Sequence, residues 1–331
     1  MDVLLILGKD NHYYRLLNGL TGCGCNVVIA KNAESIPLSR FNYIFIDSSI
    51  NYSIKNKNLN GLLIAFDCED DPKHLNAGVG YLEMQDQIKF YAKLVYLEKD
   101  ENFSKHKLIA IPIYNYLMYT SVAGSELPNL SYKNAIPCFI GTPTFLGNMP
   151  EAESYIKSKD GVNFAAYSPN NTVMYNQRIH WLDALQKDLY HYVGGIVFKN
   201  EPNHSKEWQT NYFGDVSRFE IMPIGTNQHL FMLANNKIGL CPTGYDRISF
   251  RVFDLMAMGN IIYFTDIGKR KMLYLPEVYY SVPDFYDLAN TLFSSKREWK
   301  MLYEESKKNR EIMRTNTPSK VLMDFKRQLN G

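Results

Sequence analysis

Cysteine is scarce in this sequence: five residues, Cys23, Cys25, Cys68, Cys138 and Cys241, are scattered along 331 positions. An odd, dispersed set fits neither a disulfide framework nor a zinc site, so these read as reduced packing residues, with Cys23-Gly24-Cys25 forming a turn. Long hydrophobic runs are also missing. No apolar stretch approaches about 18 residues, so no membrane-spanning helix is expected. The opening MDVLLILGKD lacks the basic start and cleavage site of a signal peptide and reads as a buried strand. The expected location is the cytoplasm, with no membrane partner. Several catalytic signatures are absent too. There is no Walker A run, no G-x-G-x-x-G and no G-x-S-x-G elbow, which removes P-loop kinase, classical dehydrogenase and serine hydrolase readings. His180, His191, His204 and His229 show no H-x-x-H or H-E-x-x-H spacing, so no metal site is expected from them. No segment repeats.

What is present is the material of a soluble globular chain, 46% apolar and 21% charged, long enough for two domains with separate cores. The net charge of +2 decides little, but residues 296–327 hold ten Lys/Arg against five Asp/Glu. That basic stretch suits either nucleic acid or a solvated helix face. Short apolar runs at residues 3–7, 26–29, 43–46, 62–66, 93–97 and 107–111 are separated by polar or helical connections. Repeated short buried strands with connectors of this kind argue for a mostly parallel sheet. Gly8, after the first strand, would let backbone approach a ligand. Residues 115–133 read as a linker. A second strand and helix series then follows: a strand at 135–140, a helix at 150–157, a strand at 162–166, a helix at 177–188 with Trp181 and Leu185 inward, and a strand at 194–198. Residues 199–210 read as a surface loop, and 226–234 as a helix.

The stretch that organises the second half is 237–266, KIGLCPTGYDRISFRVFDLMAMGNIIYFTD. It reads as strand, polar turn, helix over 249–258, a stop at Gly259, and a second strand at 261–264. Phe250, Phe253, Met256 and Ala257 repeat at helical spacing, so this is a βαβ unit, and open α/β sheets bind ligands at such strand ends. Ser249 is a plausible N-cap whose following N–H groups attract anions. Arg251 adds a fork suited to phosphate, and Asp254 lies on the same stripe. Together they can hold a nucleotide by its diphosphate and ribose; an ion pair on a helix surface is the alternative. Further helices are expected at 283–293, 296–314 and 318–330.

An Arg-x-x-acid helix after a C-P-x-G turn, followed by glycine and a β-rich strand, resembles the donor-binding segment of two-domain, GT-B-type glycosyltransferases. Exostosin-like families have a similar C-P-x-G…S-x-R run, matched by Cys241, Pro242, Gly244, Ser249 and Arg251. Phage DNA β-glucosyltransferases have an R-V-aromatic-acid run, matched by Arg251, Val252, Phe253 and Asp254, with Asp standing where Glu is usual. That phage family also has a Ser-Ser-Ile-Asn stretch after a strand, then an apolar strand ending in the Asp that acts as base. Here Ser48, Ser49, Ile50 and Asn51 are followed, at a shorter interval, by Asp67. The residues around it, Glu69, Asp70 and Asp71, also suit a divalent-metal cluster or a solvated acidic loop.

The resemblance implies an α/β fold of two Rossmann-like, doubly wound domains facing a central cleft. The expected division is residues 1–125 on the acceptor side, 133–315 for the nucleotide-sugar, and 316–331 as a helix crossing back to the first domain. It implies transfer of a sugar from a nucleotide-sugar, with UDP-sugar as the expected donor, to a hydroxyl. The base would be Asp67 or His12, which lies in the loop where some inverting sugar transferases keep a histidine. Gly141 and Thr142 would bring backbone against the donor diphosphate. The phage enzymes clamp it with arginines in that loop; GTPTFLGN has none, so Arg247, Arg251, Lys269 or Arg270 would carry more of the neutralisation. A Mg or Mn ion is compatible with this scheme but not required. The acceptor implied is double-stranded DNA carrying a hydroxymethylated pyrimidine such as hydroxymethylcytosine, and the expected enzyme is a monomer in the cytoplasm of a bacteriophage's host; abundant Tyr, Asn, Lys and Ile agree with an AT-rich genome. The alternatives are an exostosin-like transferase acting on a glycan and a non-catalytic nucleotide- or DNA-binding module.

Overall fold

The structure is a computed structural model that describes residues 1–9, 12–55, 59–68, 77–94, 96–97, 103, 105–112, 134–142, 177–187, 191–200, 205–242, 251–264, 270–274, 280–281 and 299–330. The chain divides into two compact units. The first comprises Met1–Thr120, Lys269–Leu275 and Asn316–Gly331; the second comprises Ser121–Gly268 and Pro276–Thr315. The expected linker at 115–133, the helices at 150–157 and 283–293 and the strand at 162–166 lie outside the described residues.

In the first unit, Val3, Leu4, Leu5 and Ile6 are all fully buried in β1 (Asp2–Ile6), because a central parallel strand is covered on both faces. α1 (Tyr14–Gly22) ends at Cys23, and Gly24 takes φ 78°, which turns the chain into β2 (Asn26–Ala30). β3 (Tyr43–Asp47), β4 (Leu62–Asp67), α2 (Val79–Met84) and β5 (Phe90–Lys93) follow. The short β6 (Tyr96–Leu97) and β7 (Lys107–Ala110) complete the series. Six strands form a parallel sheet in the order β2-β1-β3-β4-β5-β7. The expected single strand at 93–97 is instead two. β5 stops at Lys93, and β6 leaves the sheet to pair antiparallel with Arg270–Lys271.

The second unit is built on β8 (Asn134–Gly141), α3 (Gln177–Lys187), β9 (Val193–Ile196), α4 (Lys206–Phe213) and α5 (Thr226–Asn235). It continues through β10 (Asn236–Cys241), α6 (Arg251–Ala257) and β11 (Ile261–Phe264). β12 (Arg270–Lys271) belongs to the first unit, and β13 (Tyr280–Ser281) and α7 (Trp299–Thr315) return to the second. Its sheet is parallel, in the order β13-β11-β10-β8-β9. Trp181 and Leu185 of α3 are buried as expected. The expected loop at 199–210 is partly α4, whose Gln209 is fully buried.

The expected βαβ unit is present as β10, α6 and β11, and Gly259 stops the helix at φ 63°. Leu255 presses so closely on β10 that a Cβ at Gly239 would meet its Cδ2 at 2.1 Å. The next residue, Asn260, is fully buried and donates from Nδ2 to Leu233 O at 3.1 Å and Asn236 O at 2.7 Å. One side chain therefore ties the α6 exit to the junction of α5 and β10.

The last helix, α8 (Pro318–Asn330), belongs to the first unit. Phe325 stacks on Phe45 of β3 at 6.1 Å. Gln328 receives the Ala110 N–H at 2.8 Å and donates to Ala110 O at 3.2 Å, completing the free side of edge strand β7. Tyr274, just past β12, donates to Asp324 on the same helix at 2.8 Å.

Candidate functional site

At the carboxyl edge of the second unit's sheet, the start of α6 meets the end of β8. Arg251 Nη2 donates to Ile140 O at 2.7 Å, and its guanidinium lies 4.6 Å from the centre of the Phe139 ring. A Cβ on Gly141 would come within 2.8 Å of Nη2 and 2.7 Å of Phe139 Cζ, so the absent side chain is what lets the guanidinium lie there. Arg251 Nε and Nη1 are buried and have no hydrogen-bond partner among the described residues. Burial pulls the arginine's pKa down, against the opposing pull of Cys241, Asp254 and Cys138. An arginine stays charged in any case, so two donors of a buried cation wait for an acceptor. Gly141, Thr142, Arg251 and Asp254 of the expected donor set are thus gathered at one sheet edge. Arg247, Ser249 and Lys269 lie outside the described residues. Arg270 lies in β12, which pairs with β6 in the first unit.

Two further side chains at this edge had no sequence signal. Arg178, in the first turn of α3, donates from Nη1 to Thr142 O and so holds the backbone just past the end of β8. His229 lies in the first turn of α5, which packs against β8, β10 and α6. Its Nε2 is buried without a hydrogen-bond partner among the described residues, and burial, assisted by the Arg251 charge, lowers its pKa to about 4. The sequence places this histidine only outside any zinc spacing.

In the first unit the expected residues also gather at carboxyl strand ends, but with other partners. Asp47, which is 1% exposed, accepts the Gly8 N–H on Oδ2 at 2.9 Å. Its Oδ1 accepts the Ser49 N–H at 2.8 Å and the Ser49 hydroxyl at 2.7 Å, and Ser49 Oγ accepts the Lys9 N–H at 2.6 Å. A Cβ on Gly8 would strike Ser49 Oγ at 2.4 Å and Asp47 Cγ at 2.9 Å. Glycine is required at this point by close approach to Asp47, a reason the sequence did not offer. This clip holds the turn that carries His12. That ring is half-buried, edge-on to Tyr14 at 6.0 Å, and its carbonyl accepts the Arg15 N–H at 2.9 Å.

Asp67 ends β4 opposite Lys93 of β5. Its Oδ2 lies 3.3 Å from Lys93 Nζ, with the lysine 0% and the aspartate 3% exposed. The ammonium sits 5.1 Å from the Phe103 ring centre and 5.9 Å from that of Tyr91. Glu69, Asp70 and Asp71 lie outside the described residues, among which no group of His, Cys, Asp and Glu is arranged to hold a metal. Among the described residues no helix is long and apolar enough to cross a membrane, and the five cysteines are buried and form no disulfide. A cavity of about 570 Å3 opens elsewhere in this unit, at the amino ends of β3 and β4 near Arg40, Asn42 and Lys326. None of the expected site residues lines it.

No protein-family model matches the chain, and no curated protein matches its sequence. Solved structures match its backbone over nearly its whole length. An alpha-glucosyltransferase in complex with UDP and a 13-mer DNA containing a central A:G mismatch superposes with TM-score 0.57 at 11% identity, covering 99% of this chain and 97% of that one. The alpha-glucosyltransferase AGT in complex with UDP gives 0.56 at 12% identity, over 99% and 98%. Anabaena HepE in complex with UDP gives 0.53 at 10% identity, over 99% and 98%. The sequence resemblance pointed to phage β-glucosyltransferases, whereas the matched DNA complexes are alpha-glucosyltransferases. The chain has the GT-B fold, two Rossmann-like α/β units of the kind found in these glycosyltransferases.

Proposed function

We propose that this protein transfers a sugar from a nucleotide-sugar, with UDP-sugar as the donor, to a hydroxyl on a hydroxymethylated pyrimidine in DNA. The observation that carries the reading is Arg251: a half-buried arginine packed against Gly141 at the carboxyl end of a parallel strand, whose buried Nε and Nη1 have no hydrogen-bond partner among the described residues. A donor diphosphate supplies the acceptor oxygens those atoms lack, and the cation stabilises charge that grows on the leaving nucleoside diphosphate. Thr142 and Arg178 hold the neighbouring backbone, and Asp254 is the carboxylate for the ribose. Support for UDP comes from matched structures that contain it, AGT and HepE among them.

The acceptor is argued more indirectly. Matched alpha-glucosyltransferases are complexes with DNA, one of them with DNA containing an HMU base. An enzyme that works on a stacked base must turn it out of the duplex and hold the backbone by cationic contacts. For an inverting reaction His12 is the base we favour over Asp67. His12 is half-buried on a turn, whereas Asp67 is buried against Lys93 and would have to break that pair to accept a proton. The C-P-x-G run at Cys241 and Pro242 favours the competing reading, an exostosin-like transferase acting on a glycan.

The test is a thermal-shift screen against UDP, GDP, CDP and their sugars, followed by transfer of labelled sugar to hydroxymethylcytosine duplex. A nucleotide-specific rise in Tm with label appearing in DNA supports the proposal. A rise without transfer to DNA leaves the glycan acceptor, and a bound nucleotide with neither transfer nor hydrolysis identifies a non-catalytic module. No shift with any nucleotide removes the donor site.

A further inference from the structure

Among the described residues, Arg251 Nε and Nη1 on α6 and His229 Nε2 on α5 are buried at the edge of the second sheet without a hydrogen-bond partner. A buried donor or acceptor left unmade costs about 1–3 kcal/mol, so such atoms usually mark a ligand or ordered water. The two helices pack together, and the arginine's charge acts on the imidazole, yet the side chains do not bond to each other. Their unpartnered nitrogens are what a single anion bound between the two helices would satisfy.

We infer that His229 is a proton-linked ligand of the donor diphosphate: when the diphosphate binds beside Arg251, His229 takes up one proton from solvent and donates from Nε2 to a phosphate oxygen. This rests on the donor site proposed above and deepens it. The electrostatics give the linkage its sign. The ring is neutral at pH 7 when the site is empty, held so first by burial and second by the Arg251 cation. A diphosphate adds negative charge that outweighs the neighbouring cation, so the imidazolium becomes the favoured form. The titratable side chains on elements packed against α5 are Arg251 and Asp254 of α6, Lys237 and Cys241 of β10, and Cys138 of β8. Of these, Arg251 is the one whose charge shifts His229.

Calorimetry with UDP-, ADP-, GDP- and dTDP-glucose on the intact chain between pH 6 and 8 tests this, because a sugar diphosphate diester does not itself titrate there. The expected Kd falls about 3- to 10-fold per pH unit on acidification, ten being the limit for one linked proton. Paired buffers of different ionisation heat should show net proton uptake. His229→Gln should bind with a flat pH profile, while His191→Gln, at an exposed position, should keep the slope. A wild-type Kd constant within about 2-fold and no proton uptake overturns the inference while leaving the donor site standing. A pH slope that survives in His229→Gln overturns it as well. Should that variant fail to fold, the two-buffer measurement on the unaltered chain still decides, and no binding by any of the four sugars removes both readings.

Discussion

The guanidinium of Arg251 lies over the ring of Phe139, 4.6 Å from its centre, with Nη2 bonded to the next carbonyl, Ile140. The ring and carbonyl fix the plane of the fork while leaving Nε and Nη1 without partners. An arrangement that fixes a cation yet withholds partners sacrifices stability for readiness to bind. Arg251→Met should therefore leave Tm unchanged or raise it, since it removes a buried charge and keeps the packing stem. Donor affinity should drop at least about 10-fold, the scale of one charge-assisted contact. Calorimetry alongside thermal melting checks this, and a variant that loses stability but not donor affinity would refute the assignment.

Gly141 separates binding from folding in the same place. An alanine Cβ there meets the ends of the Arg251 and Phe139 side chains at 2.8 and 2.7 Å, and the longer, unbranched arginine can swing aside. Gly141→Ala should keep a cooperative fold and weaken donor binding about as much as Arg251→Met does. Gly239→Ala meets Leu255 Cδ2 at 2.1 Å inside the core, so it should cost about 1–3 kcal/mol by overpacking. Urea unfolding of the two variants should rank them in that order; equal losses would mean that the Gly141 edge is ordinary core.

The Asp67–Lys93 pair sorts a structural from a catalytic carboxylate. With the two side chains 3% and 0% exposed, Asp67→Leu alone removes the carboxylate that pairs with a buried ammonium and should cost about 3–5 kcal/mol. Adding Lys93→Met should restore most of that loss. If the double variant folds and still transfers sugar, Asp67 has no part in proton transfer; if it folds and is inactive while His12→Gln is active, the base is Asp67 after all.

The strands were readable because parallel β-sheets bury both faces: Val3, Leu4, Leu5 and Ile6 have no exposed position to break the apolar run. Arg251 and Asp254 were readable because helix spacing keeps them on one face of a short segment. What was not readable depends on distant pairing. Arg178 is 36 residues from the Thr142 carbonyl it holds, and β6 ends up beside Arg270 and Lys271. No local pattern records either relation. α4 escaped because its polar sequence gives no clear apolar stripe, although Gln209 is wholly buried. His229 carries no motif at all and becomes notable only when α5 is laid against α6.

Asp47 shows how a residue read as a strand end can govern the turn above another strand. It accepts three hydrogen bonds, two from backbone N–H groups at Gly8 and Ser49. Asp47→Ala leaves those donors unmatched in a buried place and should cost at least about 2 kcal/mol. The β1–α1 turn should loosen with it, so amide exchange at Gly8 and Lys9 should rise more than exchange in β4. Uniformly increased exchange across the sheet would show that Asp47 supports the whole unit rather than this turn.

Acid sensitivity should come from two histidines that burial holds neutral. His106 accepts the Tyr81 hydroxyl on Nε2 at 2.8 Å, while its Nδ1–H donates to Ile88 O at 3.0 Å. That assignment of the ring follows because a carbonyl can only accept, which leaves Nε2 to receive the phenol proton. Burial lowers its pKa, with Lys105 adding to the effect and the Ile88 bond opposing it. Burial likewise brings His229 to about 4. Both folded values lie below the unfolded value of about 6.5, so the unfolded chain binds more protons on acidification. The stability these rings contribute is complete above pH 6.5 and is lost as pH falls through the window toward 4. Urea midpoints should drop between pH 7.5 and 5, the first unit responding through His106 and the second through His229. A saturating nucleotide-sugar should reverse the trend in the second unit alone, since a protonated His229 is the form that binds; a midpoint that rises on acidification without ligand would contradict the burial of both rings.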